Sequence, residues 1–116
     1  MAQLTIQPDK AISQAELRVI AEGLRAEFTT LEEAWRRDTM HLSRVSQKVA
    51  HPAYQRIIRM GEGVVPLLLE ALRDRPAHWF VALKATAHVD PASVGMNPKD
   101  ARESWLEWGR REGLVE

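Results

Sequence analysis

Apolar residues recur three and four positions apart from Leu17 to Trp108, and nowhere do they alternate with polar ones for more than a few residues. That spacing predicts helices and no sheet. Ser13 and Glu16 form an S-x-x-E capping box, in which each side chain satisfies a free backbone N–H at the other's position, and Leu17, Ile20, Leu24 and Phe28 follow as a buried stripe. Thr30 and Glu33 repeat the box, so the chain is expected to restart or bend there. Leu31, Trp35, Leu42, Val45 and Val49 then continue a second helix, the longest of the set, with Asp38 marking a wet seam or a polar contact. In "HPAYQRIIRMG", Pro52 suits a first helical position, His51 the cap before it and Gly61 a left-handed end, which makes a third helix with Ala53, Ile57 and Met60 on one face.

Val64 to Leu72 is apolar almost all round and predicts a central, buried fourth helix, with Pro66 tolerated in its first turn. Pro76 is expected to open a fifth, containing Trp79, Phe80, Ala82, Leu83 and Ala87. "HVDPASVGMNP" is a loop. Asn97, Pro98 and Asp100 supply a cap, an N1 proline and an acidic third position for a sixth helix, whose inner side carries Ala101, Trp105 and Trp108 until Gly109 and Gly113 weaken it. The fold class is all-α: a single compact bundle of five or six helices over residues 1–116, with 1–12 and 112–116 frayed.

Size and charge narrow this less than the pattern does. A chain of 116 residues buries about 65% of its unfolded surface, enough for one core without staples. Sixteen basic and sixteen acidic side chains cancel, so net charge selects no partner. The absence of cysteine removes disulfides, thiolate nucleophiles and cysteine metal sites. No apolar run reaches the length of a membrane span and no secretory leader opens the chain, which reads as cytoplasmic.

From Leu67 onward, "PLLLEALRDRPAHWFVALKATAHVDP" followed by "WLEWG" resembles the helical hairpin of a HEAT-like repeat. The words "HPAYQRIIRMG", "HWFVAL", "DP" and "WLEWG", in that order from His51 to Gly109, also resemble a family of short bacterial helical proteins to which no activity is attached. The resemblance implies a HEAT-like C-terminal hairpin and a surface for binding another macromolecule. It implies no chemistry. Where those relatives carry isoleucine, threonine and glycine before the acidic turn, this chain has Thr86, Ala87 and His88. If that helix end needs a positive φ, histidine costs about 1 kcal/mol more than glycine.

Candidate chemistry is sparse. His41, His51, His78 and His88 have no H-E-x-x-H partner and no local metal spacing, and Asp38 can reach His41 along a helix face without making a triad. Glu32 and Glu33 fit a first helical turn, where the macrodipole favours acids. Neither a cofactor nor a metal is implied. Each buried tryptophan N–H needs an acceptor, and Trp108 is the candidate exposed anchor. The informative asymmetry lies between Arg36 and Arg59, where Arg36, Arg37, Arg44, Lys48, Arg56 and Arg59 stand against Asp38 alone. Such a stripe is either neutralised by the acidic first helix (Glu16, Glu22, Glu27) or free to bind. The expectation is a non-enzymatic protein-interaction module of adaptor, antitoxin-like or inhibitor type, meeting an acidic partner through the stripe. Its alternatives are nucleic-acid binding through the same arginines and a hydrolytic or metal-dependent enzyme using His41 and His51.

Overall fold

The computed structural model describes residues 13–93 and 95–116. Among them six α-helices follow in order: α1 (Gln14–Thr39), α2 (Val45–Val49), α3 (Pro52–Arg59), α4 (Val65–Asp74), α5 (Phe80–Ala87) and α6 (Pro98–Arg111). A 3₁₀ turn, Gly61–Val64, joins α3 to α4. The bundle is all-α, with no strand among the described residues.

α1 begins at the expected box: the Glu16 N–H donates to Ser13 Oγ at 3.2 Å and the Ser13 N–H to Glu16 Oε1 at 3.0 Å. It does not restart at Thr30. The helix runs 26 residues, about 39 Å, because Leu24, Phe28, Leu31 and Trp35 keep a helical period straight through the second box, where interior N–H groups already have carbonyl partners. The break falls instead between Thr39 and Val45, so the longest helix is the first, and Val45 and Val49 belong to a separate short α2. A second expectation also fails. Leu17 and Ile20 are 47% and 49% exposed, since the N-terminal end of α1 extends past the helices that cover its other half.

α4 is the central element: Leu68 and Leu69 are fully buried and Leu72 is nearly so. It packs against α5 and α6, while α1 lies along α3 and α3 touches α5. Truncating such a leucine to alanine costs about 2–5 kcal/mol, so this helix anchors the fold.

Four rings fill the space between α1, α3 and the start of α5. Trp79 lies 4.6 Å from Trp35, 5.8 Å from Phe28 and 5.6 Å from Tyr54, against which it stacks at 9°. This packing explains why α5 starts at Phe80 and not at Pro76: Trp79 is held in the cluster as the N-cap residue, and residues 76–79 form a link. Trp79 offers no side-chain cap. The Tyr54 hydroxyl substitutes for one, accepting from the Ala82 N–H at 3.0 Å while donating to the His78 carbonyl at 2.8 Å. Burial pushes the Tyr54 phenol well above its ordinary pKa. Trp35 finds its acceptor in the Lys48 carbonyl at 2.8 Å, but the buried Trp79 Nε1 has none among the described residues, contrary to expectation.

The expected fraying of residues 1–12 lies outside the described residues; at the other end of the chain, Leu114 and Val115 pack against the core. Asn97 caps α6 by accepting from the Asp100 N–H at 2.8 Å. Gly109 does not weaken the helix; it is buried inside it, where an added Cβ would stand 2.7 Å from a Leu69 methyl and 2.9 Å from a Val115 methyl. Gly113 then turns left-handed at φ 73°. Its N–H donates to the Arg110 carbonyl at 3.1 Å and the Leu114 N–H to Gly109 at 2.8 Å, the paired bonds of a Schellman end.

Candidate interaction surface

The basic stripe divides in two. Arg36 is consumed internally: its Nε donates to Glu32 Oε2 at 3.0 Å, a second nitrogen donates to the Arg75 carbonyl at 2.6 Å, and the guanidinium carbon sits 5.9 Å from the Trp79 ring centroid. Arg56 reaches back to Glu27 on α1 at 2.9 Å, and Arg37 pairs with Asp38 at 3.2 Å. Arg44, Lys48 and Arg59 form no ion pair among the described residues. Arg44 caps α2 with its backbone, Lys48 follows one turn later, and Arg59 ends α3. Neutralisation by the first helix is therefore real for Arg36 and Arg56 and does not extend to α2. Glu16 is held in its own capping box.

The partner of Arg36 is the residue that sequence reasoning misplaced. Glu32 lies in the middle of α1, not in a first turn, and is 3% exposed. Arg75 closes on it from the end of α4 at 2.9 Å, so one buried carboxylate ties α1 to the α4–α5 link. Local spacing carries no trace of this, because the second arginine is 43 residues away.

Nor do the histidines assemble a site. His51 caps α3 through Nδ1, which accepts from the Ala53 N–H at 3.0 Å, and its Nε2 faces Asp38 Oδ2 at 3.0 Å. Asp38 is thus the expected polar contact, made to His51 and not to His41, and His51 together with Arg37 holds its carboxyl below the usual range. His41 is exposed in the link after α1, and His88 stands at the left-handed end of α5. Among the described residues no group of three or more His, Cys, Asp or Glu gathers as a metal could require.

A groove of about 650 Å³ opens between α4, the 76–79 link, α5 and the start of α6. Its apolar lining is Leu72, Pro76, Ala77, Phe80 and Val81, joined by Val45 of α2 and Pro98 of α6. The titratable side chains that line it are His78, Lys99 and Arg102. Partial loss of solvent, and secondarily the charge of Lys48, lower the His78 pKa. Arg102 also closes the end of α4, donating to the carbonyls of Leu72 and Arg73 at 2.8 Å and 2.7 Å. In "FVAL" the apolar residues outnumber what one core face can cover: Ala82 and Leu83 are buried, while Phe80 and Val81 line the groove.

Trp108 is half-buried on α6, edge-on to Trp105 with ring centroids 5.6 Å apart, and packs against the core. It is not on the elements that carry Arg44, Lys48 and Arg59.

No protein-family model, curated protein or solved structure matches the chain. Among the described residues no helix is long and apolar enough to cross a membrane.

Proposed function

We propose that the chain is a non-enzymatic protein-interaction module that recognises an acidic surface on its partner. The observation that carries this reading is the division of the stripe: three cations are tied down by acids of the fold, while Arg44, Lys48 and Arg59 have no ion-pair partner among the described residues. Uncompensated cations on α2 and at the end of α3, in a domain whose net charge is zero, steer an anionic surface to those elements. Chemistry is the poorer reading, since both ring nitrogens of His51 are occupied by a backbone N–H and Asp38. An adaptor or inhibitor, including one of antitoxin type, fits such a surface.

The test is charge reversal at the unpaired positions alone. A variant carrying Arg44→Glu, Lys48→Glu and Arg59→Glu should lose at least about tenfold in affinity for the protein that co-purifies from the native host, with an unchanged thermal midpoint. Undiminished affinity sinks the reading. Equally tight, steeply salt-dependent binding of unrelated duplex DNA would transfer the same cations to a nucleic-acid role.

A further inference from the structure

We propose that the groove between α4, α5 and α6 receives a short amphipathic segment of the partner protein, whose apolar side chains enter the groove while its flanking carboxylates meet Lys99, Lys48 and Arg44 on the rim. This rests on the protein-binding reading and adds where the partner docks and what it must look like.

The walls require an apolar occupant. Val45 and Val81 are 42% and 45% exposed at the groove, although neighbouring Ala82 and Leu83 are fully buried. Two branched side chains left in water beside a concavity of this size are the composition of a docking cleft, in which apolar walls supply affinity and a few polar groups set orientation.

The rim requires an anion. Every titratable side chain in the lining is basic, and Lys99 enters no ion pair among the described residues. The acids nearest in sequence have partners of their own: Asp100 accepts from the Asn97 amide at 3.2 Å, Glu103 is held by Arg102 at 3.2 Å and Asp74 by Arg73 at 2.7 Å. Val45 of the lining has Arg44 before it and Lys48 one turn after it in the chain, and Lys48 is close enough to act on His78 inside the groove. Two of the three free cations, Arg44 and Lys48, therefore flank a residue of the groove's lining. Pro98 and Lys99 open α6, whose own positive end is already met by Asp100 and the Asn97 cap, so on this side it is the Lys99 ammonium that calls for an anion. An apolar stripe with acids on both sides matches this distribution, as in helix-in-groove recognition.

The experiment uses a fluorescein-labelled 14-residue peptide with leucines at helical i, i+4 and i+7 spacing and glutamates at the flanking positions, beside a counterpart with lysine for every glutamate. The acidic peptide should bind the full chain at least about tenfold more tightly than the lysine peptide, and its amide shift changes should centre on Val45, Ala77 and Val81. Val81→Glu should weaken it about tenfold, and so should Lys99→Glu, which replaces an exposed side chain and spares the fold if the first variant does not. Equal binding of the two peptides, no binding at all, or shift changes centred on Leu17 and Ile20 would overturn the assignment. So would displacement of the acidic peptide by laurate at lower concentration, which would give the groove to a small amphiphile, or a concentration-dependent dimer abolished by Val81→Glu, which would give it to a second copy of the chain. The two proposals fail separately. If Val81→Glu and Lys99→Glu leave the native partner's affinity intact while reversal at Arg44, Lys48 and Arg59 lowers it, the groove is not the contact and the interaction module remains.

Discussion

The imidazole of His51 joins the end of α1 to the start of α3: Nε2 lies 3.0 Å from Asp38 Oδ2, and Nδ1 accepts the Ala53 N–H at 3.0 Å. Since Nδ1 accepts, the proton of the neutral ring belongs on Nε2, where it is donated to the carboxylate. A histidine poised against an aspartate is also half of a catalytic arrangement, and the difference lies in the other nitrogen. Here it is spent on a helix cap. His51→Ala should therefore lower stability by about 1 kcal/mol in urea unfolding, and His51→Asn, which retains a capping oxygen, should recover most of that loss. Equal losses in the two variants would show that the Asp38 contact, and not the cap, fixes the residue.

Glu32 makes a sharper energetic prediction, because its two arginines are solvated to very different degrees from the carboxylate they hold. The Glu32 side chain is 4% exposed, whereas those of Arg36 and Arg75 are 35% and 56% exposed. Removing the acid lets both guanidiniums return to water, while removing both bases strands a charge in the interior. Glu32→Ala is expected to cost about 2 kcal/mol, the scale of lost hydrogen bonds to a charged group. Arg36→Met combined with Arg75→Met should cost more, about 3–5 kcal/mol. Chemical denaturation of the three proteins at neutral pH decides the order, and a milder loss in the double variant would reject the burial argument.

These two residues also show what the sequence could disclose. Caps are local, so Ser13, His51 and Asn97 were legible from one to three neighbouring residues, and each caps as its context predicts. The helix from Val65 to Asp74 was legible because its apolar residues surround it. What escaped was settled at long range. Whether Thr30 begins a helix depends on whether α1 is already running when it arrives, and whether Pro76 does depends on where Trp79 finds its three aromatic neighbours. The stripe of cations was visible as a charge count, but only the fold separates Arg56, which meets Glu27 from 29 residues away, from Lys48, which meets no acid among the described residues.

Stability should fall on acidification in two stages. Asp38, Asp74 and Glu70 all have carboxyl groups held below their ordinary values, by His51, Arg73 and Arg25 respectively, and Glu16 is lowered by the N–H and hydroxyl of Ser13. A carboxylate depressed in the folded state contributes stability that is full above its unfolded value, about 4, and is lost as pH falls through the folded one. His78 acts earlier. Its folded value is lowered, so between about 6.5 and that lower value the unfolded chain takes up a proton that the folded chain refuses, and stability declines as pH falls. Urea midpoints measured from pH 8 to pH 3 should show a shallow decline starting near 6.5 and a steeper one below about 4.5. His78→Asn should remove the first and leave the second, and a first decline that survives this substitution would have to come from another group.

His88 ends α5 at φ 61° and ψ 25°, the one described non-glycine residue with a positive φ. Its N–H still donates to the Lys84 carbonyl at 3.2 Å, so the left-handed turn is what closes the helix before the acidic Asp90-Pro91 turn. A side chain in that region crowds the following carbonyl, at a cost of about 1–2 kcal/mol that glycine escapes, while glycine's greater freedom in the unfolded chain returns about 0.4–1 kcal/mol of the advantage. The ring is exposed and little packing is lost with it. His88→Gly should therefore raise stability by about 0.5–1 kcal/mol, with His88→Asn between it and the parent because asparagine tolerates the same region better than histidine. A thermal midpoint that falls in His88→Gly would mean that the exposed imidazole makes a favourable contact in solution, and that the conformation is retained for that contact and not merely endured.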